Sequence, residues 1–228
     1  MNMVEGKRLA LLACGSFNPP TIMHLRMFEC ARDYMEHTHG YKVVEGIISP
    51  VGDSYKKLDL VPAKHRLQMA ELSVFNSKWI RVDPWECSQG HWMRTLLVLR
   101  HFKELLEVKY CRKDLPRLML LCGGDFVDSF PQLTSNGARL WEPNDLIEIV
   151  RDFGLVVLKR QGSDPKQTLK NLNFLDNFLS NVFLFEDDIM PNDISSTRLR
   201  AAVSRGQSIK YCTGDSVVEY IRLNGLYR

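Results

Sequence analysis

Ala13-Cys14-Gly15-Ser16-Phe17-Asn18-Pro19-Pro20-Thr21-Ile22-Met23-His24 joins an apolar run to a helical pattern through a turn of Gly, Asn and Pro. Leu9 to Ala13 reads as a strand, and Ile22, Leu25, Phe28, Ala31 and Met35 fall on one face of an amphipathic helix. The segment is therefore a strand, a tight loop and a helix carrying a histidine in its first turn. A helix start has unpaired N–H groups and the positive end of the helix dipole, so such a junction readily receives an anion. Gly15 and Ser16 let a ligand approach the main chain, Asn18 or Thr21 would cap the helix, and His24 would turn a ring N–H towards the ligand. The other reading is an ordinary strand-to-helix turn with a surface histidine, and the loop by itself leaves both open.

Outward from this loop the pattern repeats. Tyr41 to Ser49 reads as a second strand, parallel to the first across the helix. The loop after Pro50, Val51 to Lys57, lies where parallel sheets gather ligand groups, and Lys56 and Lys57 are either phosphate contacts or solvated charges. Ala63 to Phe75 has helical spacing and Trp79 to Val82 is a short strand. A further helix runs to about Leu106 with Trp92 in its first turn, either a core staple or a stacking surface. Leu118 to Cys122, almost wholly apolar, marks a strand buried on both faces, and it ends in Gly123-Gly124-Asp125. Helices over Asp145 to Phe153 and Gln167 to Leu179 alternate with strands at Leu155 to Leu158 and Val182 to Phe185. Asn192 to Arg200 then opens a helix with hydroxyls at its cap and an arginine within reach, a second anion site by the same physics. Asp215 to Leu223 makes a closing helix.

This alternation predicts an α/β fold, a doubly wound, Rossmann-like and mostly parallel sheet with helices on both faces and a small C-terminal helical part. A single domain over 1–228 is expected, with a core over 8–160 and a C-terminal part over 161–228. The composition, 45% hydrophobic and 25% charged, excludes extended disorder. A net charge of +3 is too small to argue for a nucleic-acid or membrane surface, and neither partner is expected. The cysteines at 14, 30, 87, 111, 122 and 212 have no CxxC spacing, which points to reduced thiols in an intracellular protein. His37 and His39 read as a solvated helix end rather than a metal pair. Gly15 stands without the further glycines of the dinucleotide fingerprint, and no P-loop pattern occurs.

Gly15 to His24 resembles the G-x-F-x-P-x-[H/T]-x-x-H signature of the nucleotidyltransferase α/β-phosphodiesterase superfamily. Ile194-Ser195-Ser196-Thr197-Arg198-Leu199-Arg200 resembles its I-S-S-T-x-x-R partner. Together with Ser49 to Lys57, Trp92-x-x-Thr95 and Leu121 to Asp125, they make the chain similar to the eukaryotic nicotinamide mononucleotide adenylyltransferases over essentially its whole length. Thr21 stands where many superfamily members have histidine, as in the eukaryotic branch, and Gly124 stands where alanine is expected. Lys109 to Arg117 is much shorter than the basic insertion of the nuclear members, so a cytoplasmic address is expected over a nuclear one.

The resemblance implies transfer of AMP from ATP to nicotinamide mononucleotide, and to nicotinic acid mononucleotide, giving NAD or its deamido form and pyrophosphate. It implies His24, Arg200 and Lys57 as catalytic groups and Gly15, Ser16, Phe17, Gly123, Asp125, Ser196 and Thr197 as further ATP contacts. Ser16, Tyr55, Lys57, Trp92, Thr95 and Trp141 would hold the mononucleotide, the two indoles sandwiching its pyridine ring. Mg2+ would come with the ATP phosphates and not in a protein cage, and a homo-oligomer is expected. A related cytidylyl- or pantetheine-phosphate adenylyltransferase would keep both signatures but has no use for paired tryptophans. A chaperone-like binding protein would not need His24, Lys57 and Arg200, although such a role could coexist with turnover.

Overall fold

The computed structural model describes residues 7–55, 59–190 and 194–228. The chain alternates from the start: β1 (Lys7–Gly15), α1 (Ile22–His39), β2 (Tyr41–Pro50), α2 (Ala63–Val74), β3 (Ile80–Val82) and α3 (Thr95–Lys109). There follow β4 (Arg117–Gly123), α4 (Gly124–Asp128), α5 (Pro143–Glu148), β5 (Leu155–Leu158), α6 (Pro165–Lys170), β6 (Val182–Phe185), α7 (Ser196–Ser204) and α8 (Asp215–Leu223). All six strands pair in parallel in the order β3-β2-β1-β4-β5-β6. This is the doubly wound arrangement, in which the order reverses between β1 and β4 and opens a crevice beyond their carboxyl ends. Among the described residues no helix is long and apolar enough to cross a membrane.

The strands are apolar on both sides because both faces are covered. Leu9, Leu11 and Ala13 of β1 pack with Phe28, Ala31 and Met35 of α1, while Ala10 and Leu12 face Leu99 and Phe102 of α3. A third cluster joins Met69 of α2 to Leu199, Val217 and Ile221 of α7 and α8. The sixth strand comes from beyond residue 160, so the C-terminal part completes the sheet before its helices cross to α2.

Three helices differ from the sequence expectation. The helix expected to hold Trp92 in its first turn begins only at Thr95, because the chain is extended at Gln89 and Arg94 and the apolar spacing starts at Leu96. The helix expected from Asp145 to Phe153 begins at Pro143 and closes in a π-helical turn, Ile149–Phe153, at Gly154. That glycine has φ 88, and a Cβ there would come within 2.8 Å of the Asn181 carbonyl. The helix expected over Gln167 to Leu179 is capped early by Asp164, whose carboxylate accepts from Gln167 N–H at 3.0 Å. It then breaks at Asn171 into a separate 3-10 run, Asn173–Asn181.

Candidate active site

The carboxyl ends of β1 and β4, Gly15 and Gly123, open into a cleft of about 380 Å3. The loop after β1 is held by its carbonyls. Gly15 O accepts from Val51 N–H at 2.9 Å and Ser16 O from the Arg66 guanidinium at 3.1 Å. Asn18 O accepts from Arg200 at 3.0 Å, Pro19 O from the Ser196 hydroxyl at 2.8 Å and Pro20 O from the Thr213 hydroxyl at 2.8 Å. With the carbonyls spent on the scaffold, the Ser16 and Phe17 amides have no acceptor among the described residues and suit an anion. Phe17 sits at φ 45 with its side chain buried, its ring 5.2 Å from that of His24. Its ring packs into the second core cluster, and the residue lines the cleft.

Thr21, not Asn18, is the N-cap of α1. Its backbone N–H donates to His24 Nδ1 at 3.0 Å, and its hydroxyl lies 2.8 Å from the same nitrogen. Since an amide can only donate, Nδ1 is an acceptor and the neutral ring carries its proton on Nε2. Burial, with the positive charge of Arg160 nearby, pushes His24 down to about 4. At neutral pH it is therefore an uncharged imidazole that offers one N–H to the cleft.

The second signature supplies further lining of the same cleft. Ser195 is the cap of α7, its Oγ accepting from Arg198 N–H at 3.3 Å. Ser196 ties the helix to Pro19, Thr197 is exposed in the first turn, and Arg200 reaches back to Asn18 O. All three, with Gly15, Ser16, Phe17, His24, Gly123 and Asp125, line the one cleft.

Arg160, just past β5, lines it too, held by Ile194 O at 3.1 Å and standing 4.0 Å from the Asp125 carboxylate. The turn that presents it is closed by Ser163, whose hydroxyl accepts from Arg160 N–H at 3.1 Å and donates to Arg160 O at 2.8 Å. A Cβ on Gly124 would collide with the Ser163 side chain. Glycine where alanine was expected therefore makes room for the turn that carries Arg160.

Below the cleft a carboxyl is buried. Glu86, 3% exposed, accepts from the Ser49 hydroxyl at 2.5 Å. Burial raises it to about 7, against the pull of Ser49 and the Arg66 charge, and it faces the Cys14 thiol, itself pushed well up by burial.

The family model of cytidylyltransferase-like proteins matches residues 12–202. Nicotinamide/nicotinic acid mononucleotide adenylyltransferase 2 of Caenorhabditis elegans is 47% identical over 97% of this chain and 99% of its own length. The corresponding protein 1 of Bos taurus is 42% identical over 100% of this chain and 91% of its own. The chain belongs to the nicotinamide/nicotinic acid mononucleotide adenylyltransferase family. A solved structure of Plasmodium falciparum nicotinic acid mononucleotide adenylyltransferase complexed with NaAD, 18% identical, shares the fold with a TM-score of 0.67 over 97% of both chains.

Of the residues expected to hold the mononucleotide, Tyr55 lines the cleft and is 37% exposed. Lys57 lies outside the described residues. Trp141 stands behind the cleft wall: its ring meets Phe126 edge-on at 4.9 Å and its Nε1–H donates to Ser129 Oγ at 3.0 Å, while Phe126 itself lines the cleft. Trp92 is 47% exposed in the segment before α3. The two segments are joined where Arg94 bridges Asp145 at 2.9 Å, next to Thr95 at the start of α3. Neither indole, nor Thr95, lines the 380 Å3 cleft, so the described residues expected to contact ATP are gathered there, while the two tryptophans and Thr95 stand to one side. Sequence reasoning missed Arg160 and Phe126, which follow β5 and β4 and show no motif of their own; the carboxyl-edge rule was their only signal.

Proposed function

We propose that this chain transfers the adenylyl group of ATP to nicotinamide mononucleotide and to nicotinic acid mononucleotide, with release of pyrophosphate and without a covalent intermediate. The observation that carries the proposal is the joining of both signatures around one cleft that His24 and Arg200 both line. The triphosphate would lie between the starts of α1 and α7, where helix dipoles and the Ser16 and Phe17 amides favour negative charge. The mononucleotide phosphate attacks the α-phosphorus; its second pKa, around 6, leaves it largely dianionic at neutral pH, so no general base is needed. His24 Nε2–H and the Arg200 guanidinium would stabilise charge on the phosphoryl oxygens and the leaving pyrophosphate, Lys57 would assist from the second loop, and alignment does the rest.

Among the described residues no group of three His, Cys, Asp or Glu side chains could hold a metal ion. Magnesium would travel on the ATP phosphates, and no step here runs through it. Trp92 would offer the free indole face to the cationic pyridine ring and Trp141, fixed by Ser129, the rigid one. The test is an ATP-dependent assay with both mononucleotides side by side. Dinucleotide and pyrophosphate in equal amounts are expected, and no product from either substrate removes the proposal.

A further inference from the structure

Asn18 is 2% exposed and every polar atom of its side chain is engaged. Its Nδ2–H donates to Asp59 O at 2.7 Å, in the segment that follows Lys57. Its Oδ1 accepts from the Tyr227 hydroxyl at 2.8 Å and, over a long 3.4 Å, from Val61 N–H. The hydroxyl of Tyr227 is thus the short bond to this oxygen. The backbone carbonyl of the same residue accepts from Arg200 Nη1 at 3.0 Å. One buried asparagine therefore gathers the loop after β1, the segment after the lysine loop, the C-terminal tail and the arginine of the second signature.

We propose that Tyr227 is a positioning residue for adenylyl transfer, holding Asn18 so that its carbonyl aims the Arg200 guanidinium into the cleft. Asn18 follows Phe17, whose φ of 45 is a sparsely populated conformation, and a loop so bent keeps its shape only while its neighbours hold it. The tail is itself anchored: Leu226, buried in the third cluster with Val217 and Ile221, fixes the residue before the tyrosine. Burial pushes the Tyr227 phenol well up, so it keeps its proton and remains a donor throughout the working pH range. The role rests on the reaction proposed above, since it acts through Arg200.

The test uses the full chain with Tyr227→Phe, which keeps the ring and removes the hydroxyl. Tyr220→Phe is the control, because it removes a hydroxyl from the same helical part, where it meets His65 at 2.9 Å away from the loop. Expected for Tyr227→Phe are an unchanged circular dichroism spectrum, kcat/KM for ATP lower by about tenfold, and KM for nicotinamide mononucleotide within about twofold of wild type. Binding of a non-hydrolysable ATP analogue, measured by calorimetry, is expected to weaken by a similar factor, while Tyr220→Phe matches wild type in each assay. In an Arg200→Ala background Tyr227→Phe is expected to add nothing further. Wild-type behaviour of Tyr227→Phe, an equal rise in KM for both substrates, additivity with Arg200→Ala, or loss of the folded state would each overturn the role. A wild-type protein without turnover would instead defeat the proposed reaction, and analogue binding would still decide whether Tyr227 aims Arg200.

Discussion

The Ser196 hydroxyl donates to the Pro19 carbonyl at 2.8 Å across 177 positions of sequence. Through this bond, and the one from Arg200 to Asn18 O beside it, the loop after β1 and the first turn of α7 become a single joint. The cleft proposed for the triphosphate is the space this joint leaves between two helix starts.

Removing the joint should therefore affect ATP before it affects the mononucleotide. Ser196→Ala is expected to cost about 1 kcal/mol of stability, the scale of one hydrogen bond, and to raise KM for ATP several-fold. Initial rates with each substrate varied in turn check this. An equal rise in both KM values would mean that the bond supports the fold and nothing more.

The fold was readable in the sequence because β1, β4, β5 and β6 each carry an unbroken apolar run bounded by turn residues. Leu118 to Cys122 is the clearest, and it lies at the centre of the sheet with β1 and β5 on either side. Much of the cleft lining was legible because glycine and hydroxyl residues gather at the two helix starts that border it. What escaped was whatever depends on one side chain choosing between neighbours. Thr21 reads as a cap, but that its amide also fixes the His24 tautomer is visible only in three dimensions. Ser195, Ser196 and Thr197 are interchangeable as letters, yet the first caps α7 and the second ties it to the loop. Gly124, where alanine is expected, leaves the space of the missing methyl to the Ser163 side chain.

Trp92 is 47% exposed while Trp141 is pinned by Ser129 and Phe126, so the two indoles should contribute differently. Trp92→Ala is expected to raise KM for nicotinamide mononucleotide by about tenfold, KM for ATP by less than about twofold, and to leave the melting temperature nearly unchanged. Equal effects on both substrates would show that this indole does not meet the pyridine ring.

Glu86 gives the protein a pH-dependent stability. Burial raises its carboxyl from 4.5 to about 7, so the folded chain holds this proton more tightly than the unfolded one. Its contribution is complete below the unfolded value and is lost as pH rises through about 7. Glu86→Gln stays neutral throughout, so its melting temperature should gain on wild type as pH goes from about 5 to about 8, by the equivalent of up to about 3 kcal/mol. Parallel melting curves across that range would show that the carboxyl is not held protonated.

The most direct measurement is pyrophosphate release from saturating ATP and nicotinamide mononucleotide by wild type and by His24→Ala. His24 is where the α1 cap and the cleft meet. Loss of one preformed donor to the transition state is expected to slow turnover by at least about a hundredfold while the circular dichroism spectrum is unchanged. A folded His24→Ala protein that releases pyrophosphate at close to the wild-type rate would contradict the role given to this residue and the cleft built around it.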